Sequence, residues 1–265
     1  MNERTALLAW LAASWSSVLW MLERATAGES EASGLVACAA FPLVLWRTRR
    51  AAPEAKPQLL AASFALALSA GATLERLPLI AAMSSVTALC LLASPRRFGC
   101  ALHLPTFGLA MLALPVMPHL QFYLGYPLRL ATAALAVPLL RGAGFAVSRA
   151  GTGLQHADGI LWVDAPCSGV RMLWAAAFLL CVLAIRARLG SLAFALGALG
   201  TLVLVVCGNA LRAAALFFAE RAPEHGLLSS HEALGLAVFA LTAGAIVLFV
   251  SWLSAASARS SPCAA

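Results

Sequence analysis

From Ser191 to Ala219 the chain runs for 29 residues with one charged side chain, Arg212. At about 1.5 Å per residue, a helix of that length reaches roughly 43 Å, beyond the roughly 30 Å hydrocarbon core of a bilayer. A water-soluble fold has no use for such a segment, and the segment is not alone. Eight apolar runs of helical-span length are read, at 5–22, 32–46, 58–74, 77–94, 100–117, 170–185, 191–211 and 233–253, the second of them short. The expectation is an all-α membrane bundle of about eight transmembrane helices. The chain is read as one membrane-embedded domain over 1–265, with 1–117 the less characteristic N-terminal helices and 118–255 the core that carries chemistry.

Composition agrees. Hydrophobic residues make up 62% of the chain and charged ones 11%, about half the charged fraction of an ordinary soluble domain. The formal charge is +7, but the arginines sit in short clusters between apolar runs rather than along a stripe with interleaved aromatics. That excludes nucleic acid as a partner and points to membrane lipid. Arg4, Arg47, Arg49, Arg50, Lys56, Arg96, Arg97, Arg186, Arg188 and Arg259 fall on alternate loops. By the positive-inside rule those loops are cytoplasmic, and Glu23, Glu29, Glu31, Asp158, Asp164, Glu220, Glu224 and Glu232 lie outside. Ala25-Thr26-Ala27 offers a small-residue cleavage pattern, yet an uncleaved first helix is expected.

The outer stretch 118–166 reads in two parts. Tyr126-Pro127-Leu128-Arg129 through Arg141 suggests an amphipathic or re-entrant helix lying against the membrane. Thr152 to Val163 suggests a short extracytoplasmic β-hairpin leading into the sixth span.

The seven cysteines form no CxxC pair, and most lie inside apolar stretches as small hydrophobes. No disulfide framework, metal or organic cofactor is implied. Cys167 differs. In Asp164-Ala165-Pro166-Cys167-Ser168-Gly169-Val170-Arg171 it opens the sixth span, with Asp164 read as helix cap and Pro166 in the first turn. A thiol there faces free N–H groups and the positive helix end, and Arg171 stands one turn on along the same face. Arg212, near the outer end of its apolar helix, is costly unless it faces the protein interior. Asn209 lies one turn before it, placed to bind a peptide or orient the guanidinium. His231 follows Ser229 and precedes Glu232, a capping-box spacing that puts it in the first turn of the last span. A nucleophile, a cation and an imidazole on one rim are the components of acyl transfer through a thioester.

Ala165-Pro166-Cys167-Ser168-Gly169-Val170-Arg171, Asn209-Ala210-Leu211-Arg212 and His231-Glu232-Ala233-Leu234-Gly235 resemble the three signature blocks of the exosortase/archaeosortase family. Tyr126-Pro127-Leu128-Arg129 and the hairpin before Cys167 fit it too. The resemblance covers about residues 120–253. It implies a membrane thiol peptidase or transpeptidase acting on C-terminal sorting signals of exported proteins: a short motif such as Pro-Glu-Pro, a spanning helix and a basic tail. It implies Cys167 as nucleophile, His231 as general acid/base and Arg212 as oxyanion stabiliser. Ser168, Asp164, Arg171 and Asn209 would support or bind substrate, and a polysaccharide or lipid would be the acceptor if transfer occurs. The implied location is the inner cell membrane, with the site at its extracytoplasmic face. Pro166 before the cysteine and Val170 in place of the usual Leu depart from the family pattern. The alternative class is a non-enzymatic transporter or a partner subunit of a polysaccharide-export system. A transporter would carry its charges near the midplane in paired, broken helices; here they gather at one rim.

Overall fold

In an apolar medium each backbone N–H and C=O must be satisfied within its own segment, so apolar runs fold as helices. The computed structural model describes residues 3–26, 32–47, 55–157, 159–164, 167–221 and 231–259. Two compact units follow one another, Met1–Val116 and Met117–Ala265.

The first unit contains α1 (Glu3–Ala13), α2 (Trp15–Thr26), α3 (Ala32–Arg47), α4 (Leu59–Leu74), α5 (Pro78–Phe98) and α6 (Leu104–Leu112). The expected straight first span is instead two helices meeting at 65° around Ser14. Serines stand at 14, 16 and 17 around that point, and the bonds from the Ser14 N–H to the Trp10 carbonyl and from the Val18 N–H to the Ser14 carbonyl run through it. Ala27 of the cleavage pattern lies outside the described residues. Helices α4 and α5 pack through Ala62, Ala65, Ser69 and Ala72 against Ala81, Ala82, Ser85 and Ala88, all buried. Small side chains let the backbones approach, and Ser69 Oγ donates across to the Ala81 carbonyl at 2.8 Å. Trp10 Nε1 donates to the Ser85 carbonyl at 2.8 Å, tying α1 to α5.

The expected fifth span at 100–117 does not form as one helix. Only the nine residues of α6 are helical; Pro105 starts them, and Pro115 disfavours helical geometry at the residue before it. His103 caps α6 in a half-buried setting. Its ring stacks on Phe98 at 3.9 Å, Nδ1 lies 2.8 Å from Thr106 Oγ1, and its N–H donates to Ser94 Oγ at 3.1 Å. Burial lowers its pKa from 6.5 to about 4. Between those values the unfolded chain binds a proton that the folded chain refuses. Stability is therefore complete above about pH 6.5 and is lost as pH falls towards 4. In detergent, His103→Gln is expected to flatten the fall in melting temperature over that window; an unchanged slope would show that the imidazole does not contribute.

The second unit contains α7 (Met117–Gly142), β1 (Ser148–Ala150), β2 (Gly153–His156), β3 (Gly159–Trp162), α8 (Val170–Arg186), α9 (Ser191–Arg221) and α10 (His231–Arg259). The surface or re-entrant helix expected around 126–141 is part of a continuous 26-residue helix, α7, long and apolar enough to cross a membrane. Its buried positions Gly125, Thr132, Ala133, Ala136, Val137 and Leu140 recur at helical spacing and make one inward stripe. Arg129, which suggested an interface, is satisfied on its own helix: Nε donates to the Gly125 carbonyl at 3.3 Å and the guanidinium lies over the Tyr126 ring.

The three strands form one antiparallel sheet, with Arg149 opposite Leu154 and Leu154 opposite Leu161. The β2–β3 pair lies within the stretch expected to form a hairpin, and β1 adds a strand before it. Leu154, Val147 and Val163 pack onto Ala133, Ala136 and Leu140 of α7 and onto Ala213, Ala214 and Phe217 of α9. A second core joins Met172, Ala176, Leu180 and Ala184 of α8 to Val205 of α9 and to Ile246 and Val250 of α10. A Cβ at Gly208 would collide with Thr242 Oγ1, and one at Gly200 with Phe249, so these glycines set the approach of α9 to α10.

Among the described residues, α5, α7, α9 and α10 are long and apolar enough to cross a membrane, and the bent α1–α2 pair makes a fifth candidate. Helices α3 and α4, with 16 residues each, and α8, with 17, are shorter than a full span. The chain is a multi-pass helical membrane protein.

Candidate active site

The site is built on the few residues between β3 and α8. The expected cap and first turn are displaced. Helix α8 begins at Val170, and its cap is Gly169 in a left-handed conformation with φ of 82°. Asp164 does not cap the helix; it is exposed, and its carbonyl accepts the Cys167 N–H at 2.9 Å. Pro166 lies outside the described residues. Cys167 therefore stands three residues before the helix, and Arg171, exposed, is not its neighbour on one helical face. The reason is local. Ser168 Oγ accepts the Val170 N–H at 3.4 Å and donates to Gln121 Oε1 of α7 at 3.2 Å, so a hydroxyl takes the position at the helix start proposed for the thiol.

Three elements hold this loop. Asn209, 2% exposed in the middle of α9, donates from Nδ2 to the Cys167 carbonyl at 2.9 Å and to Thr132 Oγ1 of α7 at 2.8 Å. A Cβ on Gly169 would lie 2.9 Å from that same Nδ2, so the loop passes the amide at a distance only glycine allows. The half-buried Cys167 side chain packs against the cluster that holds Leu154, Val163, Ala213 and Phe217.

One turn beyond Asn209 stands Arg212. Its Nε is buried and has no hydrogen-bond partner among the described residues. A Cβ on Gly235 of α10 would lie 3.1 Å from that Nε and 3.3 Å from Nη2, so the guanidinium rests against the α10 backbone. Helix α10 opens at His231, and its register puts position 231 one turn before Gly235 on the same side of the helix. The side chains of His231 and Glu232, and the Ser229 capping partner, lie outside the described residues.

Of the residues singled out from sequence, the structure joins Cys167, Ser168 and Asn209 directly. Arg212 is tied to them by one turn of α9, whereas Asp164 and Arg171 point to solvent or lipid. Gln121 and Thr132 were missed: both lie on α7, within the outer stretch 118–166, where the sequence suggested a surface helix from Tyr126 to Arg141 and no span. Their one signal was to be polar residues inside a stretch otherwise apolar enough to span.

Gly169→Ala is expected to destabilise the chain by about 1–3 kcal/mol, because it forces an L-residue into left-handed geometry and drives a methyl into Asn209. Thermal unfolding in detergent measures it; a melting temperature equal to wild type would contradict the geometry.

The fold and the site define a helical membrane protein in which a cysteine loop is pinned between two long helices, one of which carries an arginine a turn beyond the pinning residue. The chain belongs to the transmembrane exosortase family, whose family model (Exosortase_EpsH) matches residues 26–248. No curated protein and no solved structure matches it.

Proposed function

We propose that this exosortase is a membrane cysteine peptidase or transpeptidase that cleaves the C-terminal sorting signals of exported proteins. The observation that carries the reading is α9. One helix holds the Cys167 carbonyl through Asn209 and, a turn later, presents Arg212 with an unpartnered Nε against α10. A half-buried guanidinium whose Nε has no partner among the described residues, one turn from the side chain that holds the Cys167 carbonyl, suits a group that becomes anionic only during reaction.

In the proposed sequence His231 takes the Cys167 proton, and the thiolate attacks the scissile carbonyl carbon. Arg212 stabilises the oxyanion. Collapse breaks the C–N bond, and His231 returns the proton to the leaving amine. Water, or an acceptor hydroxyl or amine on a polysaccharide or lipid, then attacks the thioester and frees Cys167.

The proposed topology has eight crossings, with α7 in place of the fifth run read from sequence. That exchange keeps the number of crossings before Cys167 unchanged, so loop charges still put the site on the extracytoplasmic side of the inner membrane. The basic tail of the substrate would stay in the cytoplasm.

The test is co-expression with an exported protein bearing motif, spanning helix and basic tail. Expected are tail release and a hydroxylamine-labile adduct on Cys167. Intact tails with a well-expressed enzyme would remove the peptidase reading and favour a non-catalytic partner of an export system.

A further inference from the structure

The Cys167 loop precedes α8. Among the described residues the Cys167 N–H donates to the Asp164 carbonyl, the Val170 N–H donates to Ser168 Oγ, and the Gly169 carbonyl accepts the Leu173 N–H. Two side chains tie the loop to the rest of the unit: Ser168 Oγ donates to Gln121 Oε1 of α7, and the buried amide of Asn209 on α9 reaches the Cys167 carbonyl. Both donors of Asn209 Nδ2 are spent, one on the Cys167 carbonyl and one on Thr132. Its Oδ1 is buried without a partner among the described residues. A buried acceptor left unsatisfied costs on the order of 1–3 kcal/mol. A side chain chosen only for stability at this position would be apolar.

We infer that Asn209, seated on Thr132, is a positioning residue for the nucleophile: it holds the Cys167 carbonyl so that the thiol and Arg212 keep a fixed relation along α9. Thr132 matters because it fixes the amide plane. An Asn tethered by one bond turns about its last torsion; tethered to α7 and to the loop together, it has one orientation. Gly169 completes the arrangement, since any Cβ there would push Nδ2 out of reach of the carbonyl. Three separate elements, α7, the loop and α9, thus meet at one nitrogen, and the link between nucleophile and cation is rigid. Asn209 acts through Cys167 and does not touch the reacting atoms.

The inference rests on the peptidase reading only for its second readout. The first is the chemistry of Cys167 itself in the full chain in nanodiscs: its alkylation rate by iodoacetamide, read by mass spectrometry on the Cys167 peptide, with exposed Cys100 as internal reference. Loss of the hold exposes a half-buried thiol. Asn209→Ala and Thr132→Val are expected to speed Cys167 alkylation about fivefold, the equivalent of one net hydrogen bond, with Cys100 unchanged. Thr132→Ser, which keeps the hydroxyl, restores the wild-type rate. The second readout is tail cleavage, where Thr132→Val lowers kcat with KM held and Thr132→Ser restores it. Alkylation in Asn209→Ala and Thr132→Val within twofold of wild type, or slower, overturns the inference. So does a Thr132→Ser that behaves as Thr132→Val. A wild-type chain that cleaves no tail, while the alkylation series behaves as stated, sinks the peptidase reading and leaves the positioning role standing.

Discussion

Cys167→Ala is expected to lower tail cleavage by about a thousandfold or more while the protein stays folded and at its normal level. In enzymes with covalent intermediates, removing the nucleophile leaves only what binding and oxyanion stabilisation supply. The fold gives no reason for collapse. Cys167 is half-buried at the edge of its cluster, and its two backbone bonds, N–H to Asp164 and carbonyl to Asn209, do not involve the side chain. Removal of the sulfur therefore separates chemistry from folding. The same change at Cys181, buried in α8, is expected to leave cleavage near wild type. Cleavage by Cys167→Ala within about tenfold of wild type would exclude the thioester route.

The second large effect is at Arg212. Loss of one oxyanion donor costs about a hundred- to a thousandfold in kcat, and Arg212→Ala is expected to fall in that range with little change in KM. Arg212→Lys should not rescue it. The guanidinium brings Nε and Nη2 closest to the α10 backbone at Gly235, and an ammonium has neither the plane nor the second nitrogen. Gly235→Ala tests the same geometry from the other helix. Its methyl would stand 3.1 Å from Nε, so the guanidinium must shift, and kcat should fall with Arg212 still present. If Arg212→Lys cleaves like wild type, Arg212 supplies positive charge alone, and the directed role fails.

These outcomes bear on how the site is assembled. Asn209 and Arg212 are three residues apart on α9, about 4.5 Å along its axis. In the proposed function the first holds the loop of the nucleophile and the second is the stabilising cation, so one helix positions both. Arg212 is in turn seated against α10, the helix that opens at His231. Packing between α9 and α10 at Gly200 and Gly208 thus bears on the site from a distance.

Hydropathy and charge in the linear chain were enough to determine a helical membrane protein and to single out Cys167, Asn209 and Arg212. The reason is that an apolar solvent leaves few ways to place polar groups, so each one inside a span is informative. Local rules served less well at helix ends. Asp164 has the chemistry of a cap but not its position, because Gly169 reaches the left-handed geometry that starts α8. The stretch 126–141 reads as a surface or re-entrant helix, whereas it is part of α7, which holds Pro127 and Pro138 inside a helix long enough to span because neighbouring helices make prolines tolerable there. Only the tertiary structure decided that α7 supplies Gln121 and Thr132 to the site. Thr132 and Asn209 are 77 residues apart, and Asn209 and Cys167 are 42 apart. No periodicity connects such positions. The packing of α7 and α9 against one small sheet brings them to a single nitrogen, and that packing depends on shape complementarity among alanines, Leu140, Leu154 and Phe217, which a linear pattern does not encode.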